Sequence, residues 1–176
     1  MNTTQELLSQ LALKLKGRER WLVGIEATVY FAVILTALLG NILLCLAVFM
    51  TNTIRSRQNF YLVSLAATDV LHAVVCMPFT LVGLIQGTWP FSDFICQLQG
   101  SLISVSATVS LLTLGTIAIN RYVKIVRSAS LYQKIFSKRN ILISIAITWL
   151  ATVFFVFGSF AVRKTVFYFH PGKCLC

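Results

Sequence analysis

Long apolar runs separated by short polar breaks dominate the chain. Residues 1–20 are polar and basic, with Leu7, Leu8, Leu11 and Leu15 at helical spacing among Lys14, Lys16, Arg18 and Arg20. That pattern predicts a short amphipathic helix lying on a surface. Four apolar segments follow, at about 22–50, 60–85, 95–126 and 140–162. Each reaches the roughly 20 residues a helix needs to cross about 30 Å of hydrocarbon. The breaks at 51–59, 86–94 and 127–139 are short and polar, so consecutive helices are expected to be antiparallel neighbours. The expected organisation is a tail at 1–21, transmembrane helices 1 to 4 with their loops at 22–162, and part of a further loop at 163–176.

Composition narrows the class. Of 176 residues, 57% are hydrophobic and only 11% charged, which excludes an ordinary soluble domain and makes a membrane protein the expectation. A net charge of +10 would suggest nucleic acid in a soluble chain. Here the Lys and Arg flank the apolar runs, so the expected partner is the lipid bilayer and no nucleic acid. Glu6 and Glu19 speak against a mitochondrial presequence, and the first apolar run is too long for the core of a cleaved signal peptide. Asn2-Thr3-Thr4 is a glycosylation sequon. No GxSxG, HExxH or P-loop occurs, no cofactor motif is visible, and the five acidic residues form no paired carboxylates. Catalysis is not expected.

Orientation is not settled by charge. Arg55, Arg57, Arg121, Lys124, Arg127, Lys134, Lys138 and Arg139 flank one face; Lys14, Lys16, Arg18, Arg20, Arg163, Lys164 and Lys173 flank the other. Cysteine placement is more informative. Cys96 precedes Arg121 by 25 residues, about 37 Å of helix, so the two lie on opposite faces. The fourth span starts on the face of Arg121, which brings Cys174 and Cys176 out beside Cys96. Three cysteines at one aqueous surface suggest an oxidising compartment and a disulfide from the third helix to the final loop. That face is then extracellular or lumenal, with the N-terminus on it, and Arg121 is cytoplasmic. Cys45 and Cys76 fall within spans as packing residues.

Four polar or amphipathic residues share one depth. Asn41 is nine residues from Met50, Asp69 nine from Phe60, Ser110 eleven from Arg121 and Trp149 nine from Asn140, which places all four about 13–17 Å from the cytoplasmic ends. An ionisable Asp69 there is costly unless it faces polar partners. Asn41 and Ser110 are the available ones, suggesting a small hydrated site between helices 1, 2 and 3; the alternative is helix-packing polar groups around a protonated, inert Asp69. His72, one turn along the same helix, is in reach of Asp69 and reads as a pocket-lining residue rather than a proton relay.

Several motifs in order resemble the first four helices of a class A, rhodopsin-like G-protein-coupled receptor. Gly40-Asn41 is similar to the first-helix pair and Ser64-Leu65-Ala66-Ala67-Thr68-Asp69 to the second-helix LAxxD motif, with Pro78 further out. Trp89-Pro90-Phe91 resembles the WxF element of the first extracellular loop, Cys96 the disulfide cysteine, Asn120-Arg121-Tyr122 the (D/E/N)RY motif and Trp149 the fourth-helix tryptophan. Within the family, the Asn before Arg121 and the 137–150 region look most like melatonin receptors, although Gly158-Ser159 stands where those carry Pro-Asn.

The resemblance implies an all-α membrane protein: the first four helices of a seven-transmembrane-helix bundle in the plasma membrane, transmitting an extracellular ligand signal to a heterotrimeric G protein. It implies a sodium site at Asp69 and Ser110 with Asn41 joining through water, and a Ser64 hydroxyl that receives the Trp149 indole N–H. Asn120, Arg121 and Tyr122 become the G-protein-coupling motif, with Arg121 changing partners on activation. The register of the final loop implies a Cys96–Cys176 disulfide in preference to Cys174. Ile103 occupies the place where amine receptors carry an aspartate, so the unknown ligand is not expected to be a monoamine. With four spans instead of seven, the readings are a fragment of a complete receptor, or a truncated product that does not signal alone and modulates full-length receptors in a receptor dimer. An unrelated four-span scaffold is the reading outside the family.

Overall fold

A computed structural model describes residues 3–50, 59–163 and 170, with side chains described for 6–50, 59–158 and 170. Asn2, Cys174 and Cys176 lie outside the described residues. Every secondary-structure element among those described is a helix: α1 (Thr3–Lys16), α2 (Arg20–Met50), α3 (Asn59–Leu71), a π-helical turn (His72–Cys76), α4 (Met77–Gln86), α5 (Asp93–Val126), α6 (Ala129–Ile135) and α7 (Lys138–Arg163).

Four stretches are long and apolar enough to cross a membrane: Arg20–Met50, Asn59–Gln86, Asp93–Val126 and Lys138–Gly158. Their surfaces indicate the solvent they suit. Helix α2 buries only Ile34 and Val48, while Leu39, Leu43, Leu111, Leu150, Phe154 and Phe155 are exposed on the bundle's outside. Helices apolar all round suit hydrocarbon, which wets such side chains as well as a protein core does. The backbone is satisfied within each helix, and hydroxyls follow the same rule: Thr36, Thr68, Ser104, Thr108 and Thr148 each donate to the carbonyl four residues earlier, at 2.8–2.9 Å.

Helix α3 is central, packing on α2, α5 and α7, and α5 also packs on α7. Three buried clusters hold the bundle. Ile34, Ala73 and Met77 join α2 to the second span; Val105, Val109 and Val156 join α5 to α7; Tyr61, Phe136 and Ile141 close the end that carries Arg121.

Two features depart from simple runs and loops. The second span is interrupted where the Met77 N–H bonds back to the His72 carbonyl, five residues away. Pro78 explains the interruption, because proline lacks an N–H and its ring collides with the carbonyl four residues earlier; one wider turn relieves both problems. The break at 127–139 also contains a helix, α6, where only a polar loop was expected.

The amphipathic N-terminal helix forms and docks. Leu8, Leu11, Ala12 and Leu15 are half-buried while Leu7 and Leu13 stay exposed. Arg18 pairs with Glu26 and donates to the Leu84 carbonyl, at the open C-terminal end of α4. Gly87 ends α4 with φ of 66°, and a Cβ there would come 3.1 Å from the Leu15 carbonyl oxygen. Glycine is thus required both for the left-handed turn and for the close approach of α1.

Candidate functional site

The Arg121 end of α5 is built from three helices. Asn120 is 1% exposed, and its Oδ1 accepts a hydrogen bond from Tyr132 Oη at 3.4 Å. Tyr132 is held by stacking on Phe136, with ring centroids 5.4 Å apart, and Phe136 is buried against Tyr61 and Ile141. Asn140 fixes the other end of α6, donating Nδ2 to the Lys134 and Ile135 carbonyls at 3.2 and 3.0 Å. Its own N–H donates to Ser137 Oγ at 3.3 Å, which caps α7. Lys138 Nζ lies 5.7 Å from the centre of the Phe60 ring.

Arg121 and Tyr122 are exposed, and among the described residues Arg121 makes no ion pair. Between α3 and α5 lies a small cavity of about 30 Å³ lined by Asn59, Tyr61, Leu62, Ile117, Asn120 and Arg121. The site thus presents a guanidinium outward and anchors its neighbour inward, an arrangement suited to receiving an acceptor or anion from outside.

Further along the bundle, Trp149 Nε1 donates to Ser64 Oγ at 3.1 Å, linking α7 to α3. Tyr61 Oη and Ser144 Oγ lie 2.8 Å apart and make a second link between the same helices. Asn41, Asp69 and Ser110 are half-buried on three helices, with α3 packed against the other two. Asn41 donates Nδ2 to the Ala37 carbonyl of its own helix at 2.8 Å, which leaves its Oδ1. No described residue, His72 included, hydrogen-bonds Asp69 or Ser110. The three are therefore not joined directly. A carboxylate, a hydroxyl and an amide oxygen are donor types that hard cations take as ligands. Among the described residues no three His, Cys, Asp or Glu side chains cluster as a transition-metal site would require.

Sequence reasoning missed Gln99. It is 2% exposed, and its Nε2 donates to the Cys76 carbonyl at 3.0 Å and Thr80 Oγ1 at 2.9 Å, closing the backbone next to the π-helical turn. The available signal was a glutamine inside an apolar run opposite the proline-bearing span. Tyr132 was missed because a lone tyrosine in a basic break gives no hint of a partner twelve residues earlier. Near the far end, Trp89 and Phe91 pack edge to face at 5.1 Å, and Phe91 meets Phe79 at 5.0 Å. Cys96 is disulfide-bonded, with its partner outside the described residues, while Cys45 and Cys76 are free thiols.

Comparison with known proteins agrees with this architecture. Residues 40–176 match the family described as 7 transmembrane receptor (rhodopsin family). The chain is 33% identical to melatonin receptor type 1A of Gallus gallus over 136 residues, covering 77% of this chain and 38% of that protein. It is 31% identical to melatonin receptor type 1B-B of Danio rerio over 151 residues, 86% of this chain and 43% of that one. The gastrin/cholecystokinin type B receptor of Sus scrofa is 37% identical over 105 residues, 60% of this chain and 23% of that one. The chain spans less than half the length of each of these relatives. With a family match over most of its length and four apolar helices packed around a central α3, this chain belongs to the rhodopsin family of seven-transmembrane receptors and is not an enzyme.

Proposed function

We propose that this chain is the four-helix N-terminal part of a plasma-membrane receptor that passes an extracellular ligand signal to a heterotrimeric G protein. The observation that carries the reading is Arg121: an exposed guanidinium without a carboxylate partner among the described residues, set beside a buried Asn120 that ties α5 to α6. In this reading Asn120, Arg121 and Tyr122 form the coupling face. The N-terminus, α1 and the Cys96 end of α5 are extracellular, and Cys96 pairs with Cys176 in the second extracellular loop. Asp69 and Ser110, with the free oxygen of Asn41, would hold a sodium ion, which supplies a counter-charge for the carboxylate inside the membrane.

The ligand is not a monoamine. Ile103 offers no charge, and the acids nearest in sequence, Asp69 and Asp93, lie one on another helix and the other at the start of α5. The matched relatives are named for melatonin and for gastrin and cholecystokinin, so the likeness does not choose between a small ligand and a peptide, and Gly158-Ser159 stands where melatonin receptors carry Pro-Asn.

The test is the message downstream of the Cys176 codon, followed by function. Three further spans in frame, and ligand-driven nucleotide exchange on a G protein that Arg121→Ala reduces at least tenfold, are expected. An in-frame stop directly after Cys176 in full-length messages would overturn this reading in favour of a truncated product that acts by pairing with full-length receptors.

A further inference from the structure

Acidic residues are divided unequally between the two ends of the bundle. Glu6, Glu19, Glu26 and Asp93 lie at the Cys96 end, and Asp69 lies inside the second span. The Arg121 end has none, because residues 27–68 and 94–176 contain no Asp or Glu apart from these. Arg121, Lys124, Arg127, Lys134, Lys138 and Arg139 are nevertheless all exposed there. Their counter-charge comes from outside the chain.

Helix α6 fixes where that outside is. Only Arg127 and Ser128 separate it from α5, and only Phe136 and Ser137 from α7. Links of that length reach about 10 Å at most. Helix α6 therefore stays beside the ends of two membrane spans, at the level of the lipid headgroups. Its faces differ. Tyr132 and Phe136 turn into the bundle, toward Asn120, Tyr61 and Ile141. Leu131 and Ile135, one turn apart, are exposed, with Lys134 between them. Ile125 and Val126, at the end of α5, are exposed as well, Ile125 at 83%.

Exposed apolar side chains interleaved with cations suit the boundary between anionic headgroups and acyl chains, where each kind meets its preferred surroundings. A soluble acidic partner would meet the same cations only while bound. The bilayer is beside them at all times.

We propose that α6, with the adjoining ends of α5 and α7, is a docking surface for the anionic headgroups of the cytoplasmic leaflet. Lys124, Arg127, Lys134 and Arg139 draw the phosphate and carboxylate groups of phosphatidylserine, and Leu131 and Ile135 rest on the upper acyl chains. Docked in this way, α6 keeps Tyr132 on Asn120 and steadies the helix end that carries Arg121. The choice of leaflet rests on the receptor orientation proposed above; the contact with anionic lipid does not.

The experiment reconstitutes the full chain in phosphatidylcholine vesicles with a trace of spin-labelled phosphatidylserine or spin-labelled phosphatidylcholine. Electron spin resonance then gives the share of each label immobilised by the protein. Both leaflets have one composition, so a failure here is separate from a failure of the orientation, which a tag at residue 1 reads. A preference for phosphatidylserine of about threefold at low salt is expected, falling by about half or more near 1 M salt. Replacing Lys124, Arg127, Lys134 and Arg139 together by Gln should at least halve it. Replacing Lys14, Lys16 and Arg20 by Gln at the other end should leave most of it. Lys124→Gln with Arg127→Gln serves if the fourfold variant does not fold. Amide exchange in α6 should also slow at least twofold in nanodiscs containing phosphatidylserine relative to phosphatidylcholine alone. Equal immobilisation of the two labels, or a preference untouched by the α6 variants, would overturn the proposal. Equal immobilisation with G-protein coupling reduced by the same variants would assign the surface to a protein partner instead.

Discussion

Single polar side chains carry disproportionate weight in a bundle whose packing is otherwise apolar. Gln99 is the clearest case, because the π-helical turn needs an acceptor satisfied next to it and Gln99 reaches across from α5 to do so. Gln99→Leu keeps the volume and removes the hydrogen bonds to the Cys76 carbonyl and the Thr80 hydroxyl, leaving that carbonyl the longer 3.4 Å bond from Thr80 Oγ1. The expected cost is about 1–3 kcal/mol, read as a lower unfolding midpoint in detergent; an unchanged midpoint would show that the turn closes without it. Asn120 has a functional counterpart to this structural role. A neutral amide cannot hold Arg121 by charge, whereas a carboxylate at the same position can. In a completed receptor Asn120→Asp is therefore expected to lower basal G-protein signalling, measured without ligand at matched surface expression. Equal or higher basal activity would contradict that account.

Helices and turns add constraints that no single side chain reveals. The second span is two helices joined at His72–Cys76, so the outer half, α4, is rotated relative to α3 by one inserted residue. That rotation presents Thr80 and the Cys76 carbonyl to Gln99. Helix α1 depends on the end of α4 in turn, through Arg18 and the close approach at Gly87. Gly87→Ala forces a Cβ toward the Leu15 carbonyl and penalises the left-handed turn by about 1 kcal/mol. Hydrogen exchange of the α1 amides should then quicken several-fold while α5 amides stay unchanged; α1 protection equal to wild type would mean that the helix is held elsewhere.

The bundle's orientation brings these parts together. If the Cys96 end faces the oxidising side, then α1, Trp89 and Phe91 form the outer rim, and the cationic α5–α6–α7 end faces the cytosol. A tag at residue 1 is accordingly expected to be stained on intact cells; staining only after permeabilisation would reverse every assignment of face. The near tie in flanking Lys and Arg is why charge does not decide this, and why the disulfide at Cys96 matters.

Four membrane-length helices and the placement of Asn120-Arg121-Tyr122 near a helix end were legible in sequence. Hydrocarbon thickness sets a minimum length for an apolar helix, and a charge run marks where it stops. The Ser64–Trp149 pair was legible only through family resemblance, because nothing local tells two helices 85 residues apart that their side chains will meet. The π-helical turn, α6, the docking of α1 and the closure by Gln99 were not legible. Three of these meet a polar group elsewhere in the chain: Gln99 the Cys76 carbonyl, α6 the side-chain oxygen of Asn120, and Arg18 after α1 the open end of α4. Which group is stranded, and which side chain reaches it, follows from packing. Periodicity along the chain cannot express it.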